Sequence, residues 1–289
     1  MNGRSRAGPL LSVEVLGERM RAGGVLIVDC RFDLADPPKA ARDYAAGHIS
    51  GAVHADLDRD LADLSKSGAG RHPLPDEAAF SAVLSSWGWR PGVPVVAYDA
   101  AGGALAAARM WWLMRIAGHA GFVLDGGMAA WCAAGLPLES VRPTAVPSDA
   151  RIAFDAAQLV DFDELEQCRV DPSMLLLDAR ARNRYLGEIE PIDKVAGHVP
   201  GARNRPFTDN LRSDGRFKSA ERLADEFNVL LADCAPSDVV HMCGSGVTAC
   251  HNLLAMEHAG LHGSRLFAPS WSGWIEDAQR PVAVGDEPD

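Results

Sequence analysis

The segment Cys243-Gly244-Ser245-Gly246-Val247-Thr248 joins a nucleophile to a small glycine-rich loop. It follows the apolar run Val239-Val240-His241-Met242 and leads into a helical pattern. Gly244 and Gly246 permit dihedrals closed to other residues, so consecutive N–H groups can turn inward as an anion-binding nest. The helix predicted over 247–259 aims the positive end of its dipole at the same place. Both features favour negative charge on the sulfur, and the thiolate is the form of cysteine that attacks. They would stabilise a terminal persulfide anion equally, so sulfur can rest on Cys243 between two half-reactions. A cysteine phosphatase shares the ring of amides but needs an arginine six residues after the nucleophile. That position is Ala249, which argues against phosphate chemistry.

Chemistry of this kind needs a strand end to project the cysteine and a helix to follow it. The chain supplies such a unit twice. Leu26-Ile27-Val28-Asp29-Cys30-Arg31 is echoed by Leu175-Leu176-Leu177-Asp178-Ala179-Arg180, and Gly47-His48-Ile49-Ser50-Gly51-Ala52 by Gly197-His198-Val199-Pro200-Gly201-Ala202. Trp131 in the first half matches Trp274 in the second. So long a repeat is a duplicated domain rather than a solenoid unit. In each half, short apolar runs (25–29, 93–98, 174–177, 239–242) alternate with helical patterns. Asp76 is placed to cap a helix with Phe80, Val83 and Leu84 on its apolar face. Further helices over 104–117 and 247–259 are stopped by Gly118 and Gly260. The Met-Trp-Trp-Leu-Met run at 110–114 has the spacing of core rather than of a binding patch. Alternation of strand and helix predicts an α/β fold with two tandem domains, each a parallel sheet covered by helices on both faces. The expected boundaries are 8–138 and 154–285, with a proline-bearing linker over 139–153. Ligands of such sheets sit beyond the C-terminal strand ends, which is where Cys243 lies. Aligning the strands puts Asp99 where Cys243 sits. An aspartate holds no sulfane sulfur, so the first domain is expected to be catalytically silent.

The 289 residues are 47% hydrophobic and 23% charged, an ordinary globular composition long enough for two domains. A net charge of −11 opposes generic binding to nucleic acid or an anionic membrane. No apolar run reaches the length of a membrane span, and residues 1–6 match a signal peptide only weakly. Six scattered cysteines without a C-x-x-C pair make neither a disulfide framework nor a zinc ribbon, and suit a reducing cytoplasm. Cys30, Cys132, Cys168, Cys234 and Cys250 read as inert buried thiols. His241 and His251 flank the loop without any recognisable metal-ligand spacing, so neither a metal nor a cofactor is expected.

The loop 243–248, the paired Gly-His-x-x-Gly-Ala turns and the tandem halves resemble the two-domain rhodanese superfamily of thiosulfate and 3-mercaptopyruvate sulfurtransferases. The resemblance runs from about Leu11 to Pro281. It implies sulfur transfer through Cys243, with Gly244, Gly246, Val247 and Thr248 forming the substrate loop and the site lying between the domains. The implied donor is a small sulfur-bearing anion, and the acceptor is cyanide, a thiol or a thioredoxin-like protein. Arg184-Tyr185-Leu186-Gly187 resembles the segment whose arginine faces the cysteine, so Arg184 is the expected donor clamp. Arg180 and Arg182 read as structural or solvated. The mercaptopyruvate branch carries a second arginine after an acidic-proline segment, and here that position is Ile192, with Lys194 as the nearest cation. Gly244 and Ser245 stand where thiosulfate-preferring members carry basic residues. The loop therefore favours mercaptopyruvate, and Ile192 weakens that case. Asp58, His72 and Ser245 resemble the mercaptopyruvate branch's proton relay. His48 and His198, in the duplicated turns, read as structural. A non-catalytic protein-binding role for tandem domains is the competing reading, and the complete cysteine loop speaks against it.

Overall fold

The computed structural model describes residues 8–286, so the weak leader reading of residues 1–6 falls outside the described part. The strands in chain order are β1 (Leu10–Leu11), β2 (Leu26–Asp29), β3 (His48–Ile49), β4 (Val53–His54), β5 (Val95–Tyr98), β6 (Gly121–Leu124), β7 (Leu138–Glu139), β8 (Leu175–Asp178), β9 (Ala202–Asn204), β10 (Val239–Met242) and β11 (Arg265–Leu266). One parallel sheet runs β1-β6-β5-β2-β4 and a second runs β11-β10-β8-β9. β2 is buried along most of its length, and β5, β8 and β10 along all of it. Their apolar runs show no alternation because helices cover both faces.

The duplication extends to single hydrogen bonds. Asp29 pairs with Arg31 at 2.6 Å, and Arg31 Nη2 donates to the Gly47 carbonyl at 2.7 Å. In the second half Asp178 pairs with Arg180 at 2.6 Å, and Arg180 Nη2 donates to the Gly197 carbonyl at 2.8 Å. His48 stacks on Tyr44 at 3.9 Å between ring centres and His198 on Tyr185 at 3.8 Å, which gives both histidines a structural role in their turns. Trp131 Nε1 donates to the Pro137 carbonyl and Trp274 Nε1 to the Pro281 carbonyl.

Asp76 caps the Glu77–Ser86 helix through the Ala79 N–H at 2.7 Å. The Ala106–Ile116 helix buries Met110, Trp111, Trp112, Leu113 and Met114, and packs on the Ala249–His258 helix of the other half. Each such Leu or Met side chain contributes about 1.5–3 kcal/mol of transfer free energy. The largest apolar cluster runs through both halves, so the two sheets share a core across their interface. The segment read as a linker is more ordered than expected. Glu139 lies in β7, which pairs antiparallel with β3, and its carboxylate accepts from Ser50 Oγ and the Gly51 N–H. Two thiols read as buried are not: Cys132 is exposed and Cys234 half-buried.

Candidate active site between the two halves

β10 delivers Cys243 beyond its C-terminal end, where the Ala179 N–H donates to the Met242 carbonyl at 2.9 Å. The Ser270–Trp274 helix fixes the loop from behind. Cys243 N–H donates to Ser270 Oγ at 3.1 Å, while the Cys243 and Gly244 carbonyls accept from the Trp271 and Ser272 N–H groups at 2.9 Å each. Ser270 holds a left-handed φ of +54°, uncommon for a residue with a side chain, and its Oγ also donates to the Phe267 carbonyl. Gly246 is needed for its backbone: at φ +74°, a Cβ would meet the Ala268 carbonyl at 2.4 Å. Its side of the loop does not line the cavity. Gly244, Ser245, Val247 and Thr248 do line it.

The N–H groups of residues 244–248 donate to no protein acceptor among the described residues. The first half shows what such a loop can do. Asp99, fully buried, accepts four N–H bonds on its carboxylate: Ala101 and Gly103 on Oδ1, Leu105 and Ala107 on Oδ2, at 2.8–3.2 Å. Burial holds its carboxyl above the usual carboxylate range, and these N–H groups offset part of that rise. The loop of the first half thus holds a carboxyl with the same class of donors that the cysteine loop leaves open.

A cavity of about 470 Å³ opens over Cys243, with Phe32, Leu34, Leu57 and Leu105 from the first half facing Arg180, Arg184 and Phe207 from the second. A larger groove of about 590 Å³ lies at the opposite ends of β8 and β10, without the loop or its arginines. His72 Nδ1 lies 2.8 Å from Ser245 Oγ, and His72 Nε2 3.2 Å from Asp58 Oδ1. Three residues therefore stand in one line, with His72 hydrogen-bonded to Ser245 and within ion-pair distance of Asp58. His72 is 5% exposed, and its pKa is pushed down to about 3 by burial, then by Arg71 and Arg109. Burial, with the Asp56 charge, raises Asp58. An ionised Asp58 requires a proton on Nε2, which leaves Nδ1 to accept from the Ser245 hydroxyl. This is the tautomer that the Asp58 contact favours.

Arg184, on the short Arg182–Tyr185 helix, faces the loop, with Nη1 3.7 Å from where a Gly244 Cβ would sit. A second arginine stands beside it. Arg71 Nη2 comes within 3.2 Å of that point and lines the cavity from the first half. Lys194 is exposed and does not line it, so it does not replace the arginine absent at Ile192. Arg180 proves to be both structural and part of the cavity wall, while Arg182 is exposed and pairs with Asp286. Every arginine at the cavity has a carboxylate: Arg71 with Asp193 at 2.5 Å, Arg184 with Glu190 at 2.8 Å and Asp193 at 3.0 Å, and Arg180 with Asp178 at 2.6 Å. The segment of Gly70, Arg71 and His72 is laid on the second half. A Cβ on Gly70 would meet the Pro269 carbonyl at 2.4 Å, and Arg71 N–H donates to Ser272 Oγ at 2.9 Å. His241 and His251 turn away from Cys243, onto Met256 Sδ and Asn210.

The family model for the rhodanese-like domain matches residues 12–134 and 161–277. A relative from Pseudomonas aeruginosa, described as "Probable 3-mercaptopyruvate sulfurtransferase", is 49% identical over 96% of this chain and 98% of its own length. The chain belongs to the tandem rhodanese-like sulfurtransferases. The thiosulfate sulfurtransferase of Bos taurus is 31% identical over 93% of this chain and 92% of its own. The structure of 3-mercaptopyruvate sulfurtransferase from Leishmania major superposes with a TM-score of 0.83 at 32% identity, covering 96% of this chain and 76% of that one. As an enzyme of this family the chain is a sulfurtransferase. Among the described residues no helix is long and apolar enough to cross a membrane.

Proposed function

We propose that this sulfurtransferase takes sulfur from 3-mercaptopyruvate in preference to thiosulfate, carries it as a persulfide on Cys243, and passes it to a thiol or cyanide. The observation that carries the reading is the line Asp58–His72–Ser245 ending beside Cys243. Thiosulfate needs no such line, because its sulfane sulfur leaves sulfite without moving a proton. Mercaptopyruvate does need it. The Cys243 sulfur attacks the donor's sulfur, an S–S bond forms, the C–S bond breaks, and the electron pair departs as pyruvate enolate. The donor's thiol proton passes through Ser245 and His72 to the enolate carbon, yielding pyruvate and an anionic persulfide. In the second half-reaction the acceptor anion takes the terminal sulfur and Cys243 returns as thiolate.

The charges support the same donor. Arg71, Arg180 and Arg184 are matched by Asp178, Glu190 and Asp193, so a dianion gains little from them. A single carboxylate can still take forked hydrogen bonds from Arg184 and Arg71. Steady-state transfer with both donors on one preparation tests the reading. Higher kcat/KM with mercaptopyruvate is expected, and a preference for thiosulfate would sink it.

A further inference from the structure

Arg109 lies in the apolar Ala106–Ile116 helix of the silent half, and its side chain is completely buried. Nη1 donates to the Gly246 carbonyl at 3.0 Å and Nη2 to the His72 carbonyl at 3.1 Å. Its Nε has no hydrogen-bond partner, and among the described residues no carboxylate lies within ion-pair distance. The guanidinium faces these two carbonyls and the thiols of Cys250 and Cys243. A buried guanidinium without a carboxylate is costly, and alternatives that pack an apolar side chain there are cheap. The two carbonyls it joins belong to the two halves. One is in the cysteine loop, next to Ser245, and the other is on the relay histidine itself. At the matching position of the second half, nine residues before the helix-ending glycine, stands His251, which bonds Asn210 within its own half.

We infer that Arg109 is a positioning residue that holds Ser245 and His72 in register across the domain interface. The inference rests on the proton relay proposed above. Its fork is anchored on the carbonyl of His72 and on that of the residue following Ser245, so it sets the separation of the two main chains whose side chains share the 2.8 Å contact. A lysine keeps the charge but cannot span both carbonyls with a planar fork. A glutamine keeps a donor without the charge.

The two donors separate positioning of the relay from general support of the loop, because only mercaptopyruvate requires a proton to move. Arg109→Lys is expected to lower kcat with mercaptopyruvate at least tenfold, with KM within threefold, and to leave thiosulfate turnover within threefold of the unsubstituted enzyme. Arg109→Gln is expected to show the same donor split, provided its circular-dichroism spectrum is native. An equal fall with both donors would make Arg109 mere scaffold for the loop and overturn the inference. So would unchanged turnover with both, or a failure of both variants to fold. Ser245→Ala distinguishes this from failure of the relay itself. If Ser245→Ala keeps full mercaptopyruvate turnover, the relay is wrong. If it slows turnover while Arg109→Lys does not, only the role of Arg109 is wrong.

Discussion

Replacing Arg71 with methionine keeps a long apolar stem and removes the guanidinium that approaches Gly244 from the first half. The backbone anchor of this residue, its N–H to Ser272 Oγ, is untouched. Asp193 loses one partner at 2.5 Å but keeps Arg184 at 3.0 Å, so no carboxylate is stranded and the fold should survive. A charge-assisted hydrogen bond contributes about 1.5–3 kcal/mol. The Arg71 side chain is 26% exposed and shares its charge with Asp193, which places the effect at the low end. About 1.5 kcal/mol corresponds to roughly tenfold in KM if the contact is equal in ground and transition states. Initial rates of pyruvate release across a range of mercaptopyruvate concentrations should show KM rising about tenfold with kcat within threefold. Arg71→Lys should recover part of the loss. If KM stays within twofold, or kcat collapses at constant KM, Arg71 is not the second clamp.

Asp58→Asn should lower mercaptopyruvate kcat by about one to two orders of magnitude, because an amide no longer fixes the proton on His72 Nε2; unchanged turnover would remove Asp58 from the relay. His72, His241 and His251 all have folded pKa values near 3 against 6.5 when unfolded, chiefly through burial. The unfolded chain therefore binds protons that the native state does not, and stability present above about pH 6.5 is lost as pH falls toward 3. Three such groups give a slope of about 4 kcal/mol per pH unit, and equal urea midpoints at pH 7 and pH 5 would contradict it. Asp99→Asn should cost about 2 kcal/mol or more of stability by leaving buried N–H donors unmatched, while sulfur transfer continues. A hundredfold loss of turnover in folded Asp99→Asn protein would overturn the one-site account.

The duplicated domains, the parallel sheets and the cysteine loop were all legible because they rest on local signals: apolar runs, helix-ending glycines and a six-residue motif. Asp99 was legible as the residue in the place of Cys243, but its four N–H partners depend on backbone geometry that composition does not encode. Arg71 was missed for a different reason. Its neighbour His72 was read through a local motif, whereas Arg71 reaches the site only because Gly70 lets the segment lie against the Ser270–Trp274 helix of the other half. Gly246 was legible as a residue needed for its backbone freedom, but not as an acceptor for Arg109. Its positive φ turns its carbonyl toward Arg109. A signal for Arg109 was present: one arginine inside the run Ala-Ala-Ala-Arg-Met-Trp-Trp has to find acceptors in the core.

The proposed persulfide on Cys243 is tested most directly by mass spectrometry of the protein after treatment with mercaptopyruvate and removal of excess donor. A gain of roughly 32 Da, one sulfur atom taken up by the attacking thiolate, is expected on the peptide bearing Cys243. Cyanide should remove it, and Cys243→Ser should neither gain it nor turn over. A sulfur atom found on Cys132 or Cys234 instead, or appreciable transfer by Cys243→Ser, would contradict the account.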